Sequence, residues 1–327
     1  MPSSAGGDRI PTDPADVHDA FDLLGDETRL DILLSLWEAQ SVPPTPGEGT
    51  VATLSFSALR DRVGVADSGR FNYHLDKLVD HFVARTDDGY ELRQSGRRVV
   101  LAVLSGAVTD DPEIAPTRID QPCTYCGAPI EVNYSQEMLE TYCTECPGAY
   151  RWKTRESVVE AKEGHLGGAQ LPPAGVPGRT AAEAFTAALT WGHLRLFALA
   201  AGVCPACGAA VDREAVVCED HDATTGICST CEQRFAVQFR GTCTNCIVEG
   251  QGIFVNGLVA ETEVLAFLAT HDVNLIRPTS NPWARFDFEE EVVATDPLEV
   301  QFTLAIGDDR LTLTVDDGFD VVDVARG

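Results

Sequence analysis

Residues 67–79 read DSGRFNYHLDKLV. At about 100° per residue, Phe71, Leu75 and Leu78 fall on one side of a helix, with Arg70, Tyr73 and Lys77 opposite. Asp67 or Ser68 can cap that helix. Gly69 lets the backbone approach a phosphate, and the first-turn N–H groups from Ser68 onward point the same way. Asn72 and His74 lie on the flanks, within reach of base edges or phosphates. Upstream, residues 17–24 form a short helix that breaks at Gly25-Asp26. A second helix follows, capped by Asp26, with Leu30, Leu33, Leu34 and Trp37 as one buried stripe. Pro43, Pro44, Pro46 and Gly47 make a loop, and Phe56, Leu59 and Val63 mark a third helix closed by Gly64. Downstream, residues 82–86 and 90–92 flank Asp87-Asp88-Gly89 as a hairpin, and residues 96–104 form a last helix. This is the order of a winged helix-turn-helix domain over residues 17–107. Its expected contacts to double-stranded DNA are Ser68, Arg70, Asn72, Tyr73, His74 and Lys77, with Arg85 in the wing.

Through LLGDETRLDILLSL, FSALRDRVG and SGRFNYHLDKLV, roughly residues 17–106 resemble ArsR-type winged-helix regulators, above all the haloarchaeal group. The resemblance implies a homodimer reading an inverted repeat, with the first and last helices of the domain at the two-fold interface. It does not carry over metal sensing. The family's metal-binding cysteines lie in the helix before the turn, and FSALRDRVG contains none.

A net charge of -27 ordinarily opposes nucleic-acid binding. Here the only lysines are Lys77, Lys153 and Lys162, and the acids are spread along the chain, a pattern like that of proteins from salt-accumulating cells. At molar salt the Debye length is about 3 Å, so such a surface repels DNA weakly. Residues 60–98 are near neutral: Arg60, Arg62, Arg70, Lys77, Arg85, Arg93, Arg97 and Arg98 offset Asp61, Asp67, Asp76, Asp80, Asp87, Asp88 and Glu91. The opening MPSSAGGDRIPTDPAD (1–16) reads as a solvated tail and not a secretion signal. Residues 181–203 are interrupted by polar groups and read as a packed helix, not a membrane span. A cytoplasmic protein is expected.

The chain has 11 cysteines, and in such a setting they point to metal before disulfides. Cys123-x-x-Cys126-Gly and Cys143-x-x-Cys146 bracket an apolar stretch at 129–134, as in a zinc ribbon closed by four thiolates (108–163). Such a site is coordinatively saturated and structural. The second group, Cys204/Cys207, Cys218/His221, Cys228/Cys231 and Cys243/Cys246, implies two further ions in a double ribbon (204–250). His221 qualifies by standing three positions after the otherwise unpaired Cys218. Consecutive pairing (Cys204, Cys207, Cys218, His221; then Cys228, Cys231, Cys243, Cys246) is favoured by its near-equal spacings, with an interleaved cross-brace as the alternative. Iron suits the same four-thiolate geometry. Nothing near the pairs suggests the thioredoxin-like setting that thiol exchange requires.

Gly164 to Gly178 is expected to be a hinge before a connecting helix, the two together filling 164–203. Beyond, 261–271 reads as a helix and 292–294, 300–306, 311–315 and 319–324 as antiparallel strands, a small α+β module over 251–327 that leaves room for a small-molecule or protein effector. The fold expected is thus a multidomain α+β chain: winged helix-turn-helix, zinc ribbons, and a small α+β module with an antiparallel sheet. No phosphate loop, paired catalytic carboxylates or Ser/His/Asp order suggests an enzyme. The function expected is transcription regulation through DNA, with three structural Zn2+ ions. The alternative is a zinc-ribbon adaptor for proteins of the transcription machinery.

Overall fold

The computed structural model describes residues 21–40, 53–151, 163–224 and 226–327. The expected tail, the first half of the first helix (17–20) and the loop at 43–47 lie outside these residues, while 21–24 are helical. The chain divides into two compact units with a boundary at Asp110/Asp111. The fold is mixed α+β with several antiparallel sheets.

In the first unit, α1 (Glu27–Gln40) begins where Asp26 Oδ1 accepts from the Arg29 N–H at 3.3 Å. Its buried face is Ile32, Leu33, Leu36 and Ala39, so the expected stripe is rotated: Leu30 is exposed, and Leu34 and Trp37 are half-buried. Helix α2 (Phe56–Val63) is capped by Ser55 Oγ, which accepts from Ala58, and ends at Gly64 in the left-handed region (φ 75°), its N–H bonded to Arg60 O. Helix α3 (Ser68–Leu78) is capped by Asp67, whose carboxylate accepts from Gly69 at 2.8 Å and Arg70 at 3.1 Å. Phe71, Leu75 and Leu78 are wholly buried against Ile32, Leu36 and Leu59. The hairpin β1 (Val83–Thr86) and β2 (Gly89–Leu92) carries a third short edge, where Leu54 pairs with Tyr90. Gly89 is required there: φ is 139° and a Cβ would lie 2.4 Å from Leu54 O. Helix α4 (Gln94–Leu104) closes the unit.

Among the described residues the second unit has three antiparallel sheets. The first is β3 (Ile114–Pro122), β4 (Pro129–Ser135), β5 (Met138–Cys143) and β6 (His165–Gln170) in that order. The second is β7 (Val211–Val217), β8 (Val237–Cys243) and β9 (Glu249–Ile253). The third is a meander, β10 (Asp287–Thr295), β11 (Leu298–Ile306), β12 (Asp309–Asp316) and β13 (Val321–Arg326). Helix α5 (Ala181–Ala200) starts with a Thr180/Glu183 capping box. Its first half lays Ala184, Phe185 and Ala188 on Ile130, Val132 and Leu139 of the first sheet. Its second half sends Leu196, Phe197 and Ala200 into a core shared by β8, α6 (Thr262–Thr270), β11 and β12.

Two expectations are corrected here. Gly164 to Gly178 is not a hinge: His165–Gln170 is a paired strand, and Leu171 and Val176 are core residues. The glycines serve close backbone approach, since a Cβ on Gly164 (φ 90°) would lie 2.3 Å from Cys143 O, and one on Gly148 (φ 83°) 2.2 Å from His165 O. The divisions placed at 164, 204 and 251 likewise fall inside a single compact unit, because α5 and the β8 core bind its parts together. Among the described residues, no helix is long and apolar enough to cross a membrane.

Candidate metal centres and candidate nucleic-acid interface

Among the described residues, twelve side chains meet in three tetrads, each with ligand atoms within 4.8 Å of one another: Cys123, Cys126, Cys143, Cys146; Cys204, Cys207, Cys243, Cys246; and Cys218, His221, Cys228, Cys231. All twelve ligands named from the sequence are therefore used. Their grouping is corrected: neither consecutive nor interleaved pairing is found. The outer pairs, at 204–207 and 243–246, join at the base of the β7/β8 hairpin, and the inner pairs close on themselves in the excursion between those strands. The register, with Val211 opposite Cys243 and Val217 opposite Val237, forces this nesting.

The two four-cysteine centres share one construction. In each, the first Cys-x-x-Cys turn is closed by a glycine in the left-handed region, Gly127 (φ 72°) or Gly208 (φ 76°). The Gly127 N–H reaches Cys123 O at 3.1 Å and the Gly208 N–H reaches Cys204 O at 2.9 Å. In each, the third cysteine accepts two backbone N–H groups: Cys143 Sγ from Glu145 (3.3 Å) and Cys146 (3.2 Å), and Cys243 Sγ from Asn245 (3.4 Å) and Cys246 (3.3 Å). Sulfur separations coincide: 3.7 and 3.5 Å in the first centre (Cys123–Cys146, Cys126–Cys143), 3.7 and 3.5 Å in the second (Cys204–Cys246, Cys207–Cys243). A tetrahedron with Zn–S bonds of about 2.3 Å has edges of about 3.8 Å, so the thiol cages fit zinc closely.

These N–H donations favour thiolate. Donation from Cys246 and Asn245 holds the Cys243 thiol down to about 6, and donation from Cys231 and Asp222 does the same for Cys228. Burial pushes Cys143 up, but the N–H groups of Cys146 and Glu145 outweigh it and leave about 7. In the third centre His221 Nε2 lies 3.2 Å from Arg234 O, so Nε2 carries the proton and donates. Nδ1, 3.4 Å from Cys231 Sγ, is left as the ligand atom. Four protein ligands at every centre leave no open position, and the three sites are structural zinc sites in their donor chemistry. Sequence reasoning missed Thr144 and Thr244, whose hydroxyls donate to Pro129 O (2.7 Å) and Ala210 O (3.1 Å) and tie each knuckle to the opposite strand. The repeated Cys-Thr-x-Cys at 143–146 and 243–246 was the available signal.

In the first unit, Ser68, Arg70, Asn72, Tyr73 and Lys77 lie exposed on α3, with Tyr73 58% accessible and Lys77 Nζ 5.9 Å above its ring. Asn72 Nδ2 donates to Asp76 at 2.7 Å, which places a carboxylate on the same face. Arg85 is exposed in the hairpin, 5.8 Å over the Tyr90 ring. His74 is the exception and a correction: it is buried, with Nδ1 3.3 Å from Asp26 at the start of α1. The wheel put it on a flank, but α1 covers that flank. It faces the start of α1 and is not available to a base.

Two family models match the chain. Residues 17–103 are similar to a domain of unknown function, DUF7347, and residues 120–321 match a second, DUF7351. The two matches respect the Asp110/Asp111 division. No curated protein and no solved structure gives a match. Because the second model spans most of the sequence, including all three tetrads and α5, the chain belongs to the family described as domain of unknown function DUF7351.

Proposed function

We propose that this protein is a sequence-specific DNA-binding transcription regulator of the winged helix-turn-helix, ArsR-like kind. In this reading α3 enters the major groove, the β1/β2 hairpin lies against the neighbouring backbone, and zinc ribbons support the C-terminal half. The observation that carries the reading is the two-sidedness of α3: Phe71, Leu75 and Leu78 are wholly buried, while Arg70, Tyr73 and Lys77 are exposed on the opposite side. A helix anchored by one face with cations on the other is what groove entry requires. Exposed Phe21, Leu101, Leu104 and Val108, from both ends of the unit, suit an apolar two-fold contact between copies. The acidic charge is compatible with this function at high intracellular salt, where screening is short-ranged.

Genome-wide crosslinking of the tagged protein at native salt is expected to give discrete palindromic sites. Arg70→Ala and Lys77→Ala are each expected to weaken retention on such a site. Each phosphate-neutralising contact removed lowers the salt slope of binding by about 1. Unchanged retention and slope in both variants would end the proposal. A second reading, a ribbon adaptor without direct DNA readout, draws support from Ile247, which is 99% exposed beside Cys246. That adaptor would ignore the α3 changes and lose partner capture on Ile247→Asp.

A further inference from the structure

The third tetrad is built unlike the other two. The Cys123 centre sits on a core of Ile130, Val132, Tyr134, Leu139 and α5, and the Cys204 centre on Leu199, Val211 and Val248. Cys218, His221, Cys228 and Cys231 lie on an excursion that, among the described residues, buries few apolar side chains beyond Ile227 and belongs to neither of those cores. Cross-linking through its four ligands is thus the main force ordering residues 218–231, while Phe235 packs on Phe288 and Tyr125 with ring centroids 5.0 and 6.2 Å away.

What that excursion holds is the knuckle of the first centre. Gln233 pairs with Tyr150 in an antiparallel bridge, with Arg151 N–H to Glu232 O and Arg234 N–H to Ala149 O, both 2.9 Å. Arg234 Nε donates to Gly148 O at 2.9 Å, and its guanidinium lies 4.3 Å over the ring of Tyr125, between Cys123 and Cys126. His221 Nε2 donates to the carbonyl of that same Arg234, so a ligand of the third centre is one hydrogen bond from the group gripping the first.

We propose that the Cys218/His221/Cys228/Cys231 site is a metal-dependent clasp: with a soft divalent ion such as zinc bound, residues 232–235 are fastened to Gly148–Arg151 beside the first centre, and without it that contact opens while α5 still holds the two ribbons in one unit. Linkage makes the effect reciprocal, since contacts that exist only in the closed form strengthen binding at the site by the same factor. This inference is independent of DNA binding.

The test uses the full-length zinc-loaded protein with hydrogen exchange and elemental analysis. His221→Ala is expected to lose one of three zinc equivalents and to cost the Arg151 and Arg234 amides at least about tenfold in protection, while the Val132 and Thr242 amides keep theirs. One ion lost with Arg151 still protected would overturn the clasp. So would His221→Ala losing all three ions, since the third centre would then not be separable. Should the variant fail to fold, graded chelation of the wild-type protein gives the same reading: Arg151 protection must fall with the first ion released. Arg234→Gln leaves all four ligands and removes the grip; it is expected to speed release of that one ion several-fold. Unaltered release would contradict the reciprocity and the proposal with it.

Discussion

The two ribbons of the second unit have the same knuckles, the same sulfur spacing and the same threonine tie, yet their hairpins differ. Strands β4 and β5 are joined by a tight turn at Gln136 and Glu137, both with positive φ, so the first centre closes a short local loop. Strands β7 and β8 are separated by the excursion carrying the third tetrad, so the second centre closes a loop that contains another metal site. The lesson is that a knuckle is a local object, whereas the pairing of knuckles belongs to the sheet between them.

That contrast can be broken most forcefully at the third cysteine of each ribbon. Cys143→Ser is expected to release one zinc equivalent, and Cys243→Ser two, because opening the outer centre unties the base of the hairpin that carries the inner one. Both should cost the second unit several kcal/mol, given apparent zinc contributions of about 10–16 kcal/mol in small zinc modules. The unit spanning 10–110 should melt as before. Equal zinc loss in the two variants would mean that the nesting has no energetic content.

A smaller difference separates the ribbons through Glu290. Its carboxylate accepts from Val237 at 3.2 Å and from Ala236, fastening β8 to the C-terminal meander, whereas the first ribbon is tied to the segment before the meander by the uncharged Asn281, whose Nδ2 donates to Pro122 O at 3.0 Å. Burial pushes Glu290 up to about 7, against the pull of the Val237 and Ala236 N–H groups. A folded value above the free value of 4.5 means the native unit keeps a proton that the unfolded chain releases. Stability from this group is therefore full below about 4.5 and falls as pH rises to about 7. Glu290→Gln retains an acceptor without the charge and is expected to flatten that part of the melting-temperature profile by a few degrees. An unchanged profile would assign the pH dependence elsewhere.

The smallest effects should be alike. Thr144→Val and Thr244→Val each remove one hydroxyl bond to a strand carbonyl, worth about 0.5–1.5 kcal/mol, and denaturant melts should show similar losses. A loss in only one would show that the two knuckles are not energetically equivalent.

Much of this was legible in the residues. The helix caps at Asp26 and Asp67, the left-handed close at Gly64, the hairpin around Asp87-Asp88 and the last four strands all follow from short-range chemistry, and each lies at or near its expected place. So does His221, found by counting three positions from Cys218. Errors arose where distant chain decides the surroundings. His74 looked free until α1 covered it, and the stripe of α1 turned toward Ile32 and Leu36 because the neighbours α2 and α3 lie on that side.

The sequence by itself determined the ligands, the caps, the turns and the two faces of α3, because each depends on spacings of a few residues and on which side chains can accept a neighbouring N–H. Tertiary structure alone decided which cysteine pairs share a centre, why Gly148 and Gly164 are glycines and which flank of α3 stays open. Those outcomes depend on strand register and on backbones from remote segments meeting at contact distance, and no local spacing encodes which remote segments will meet.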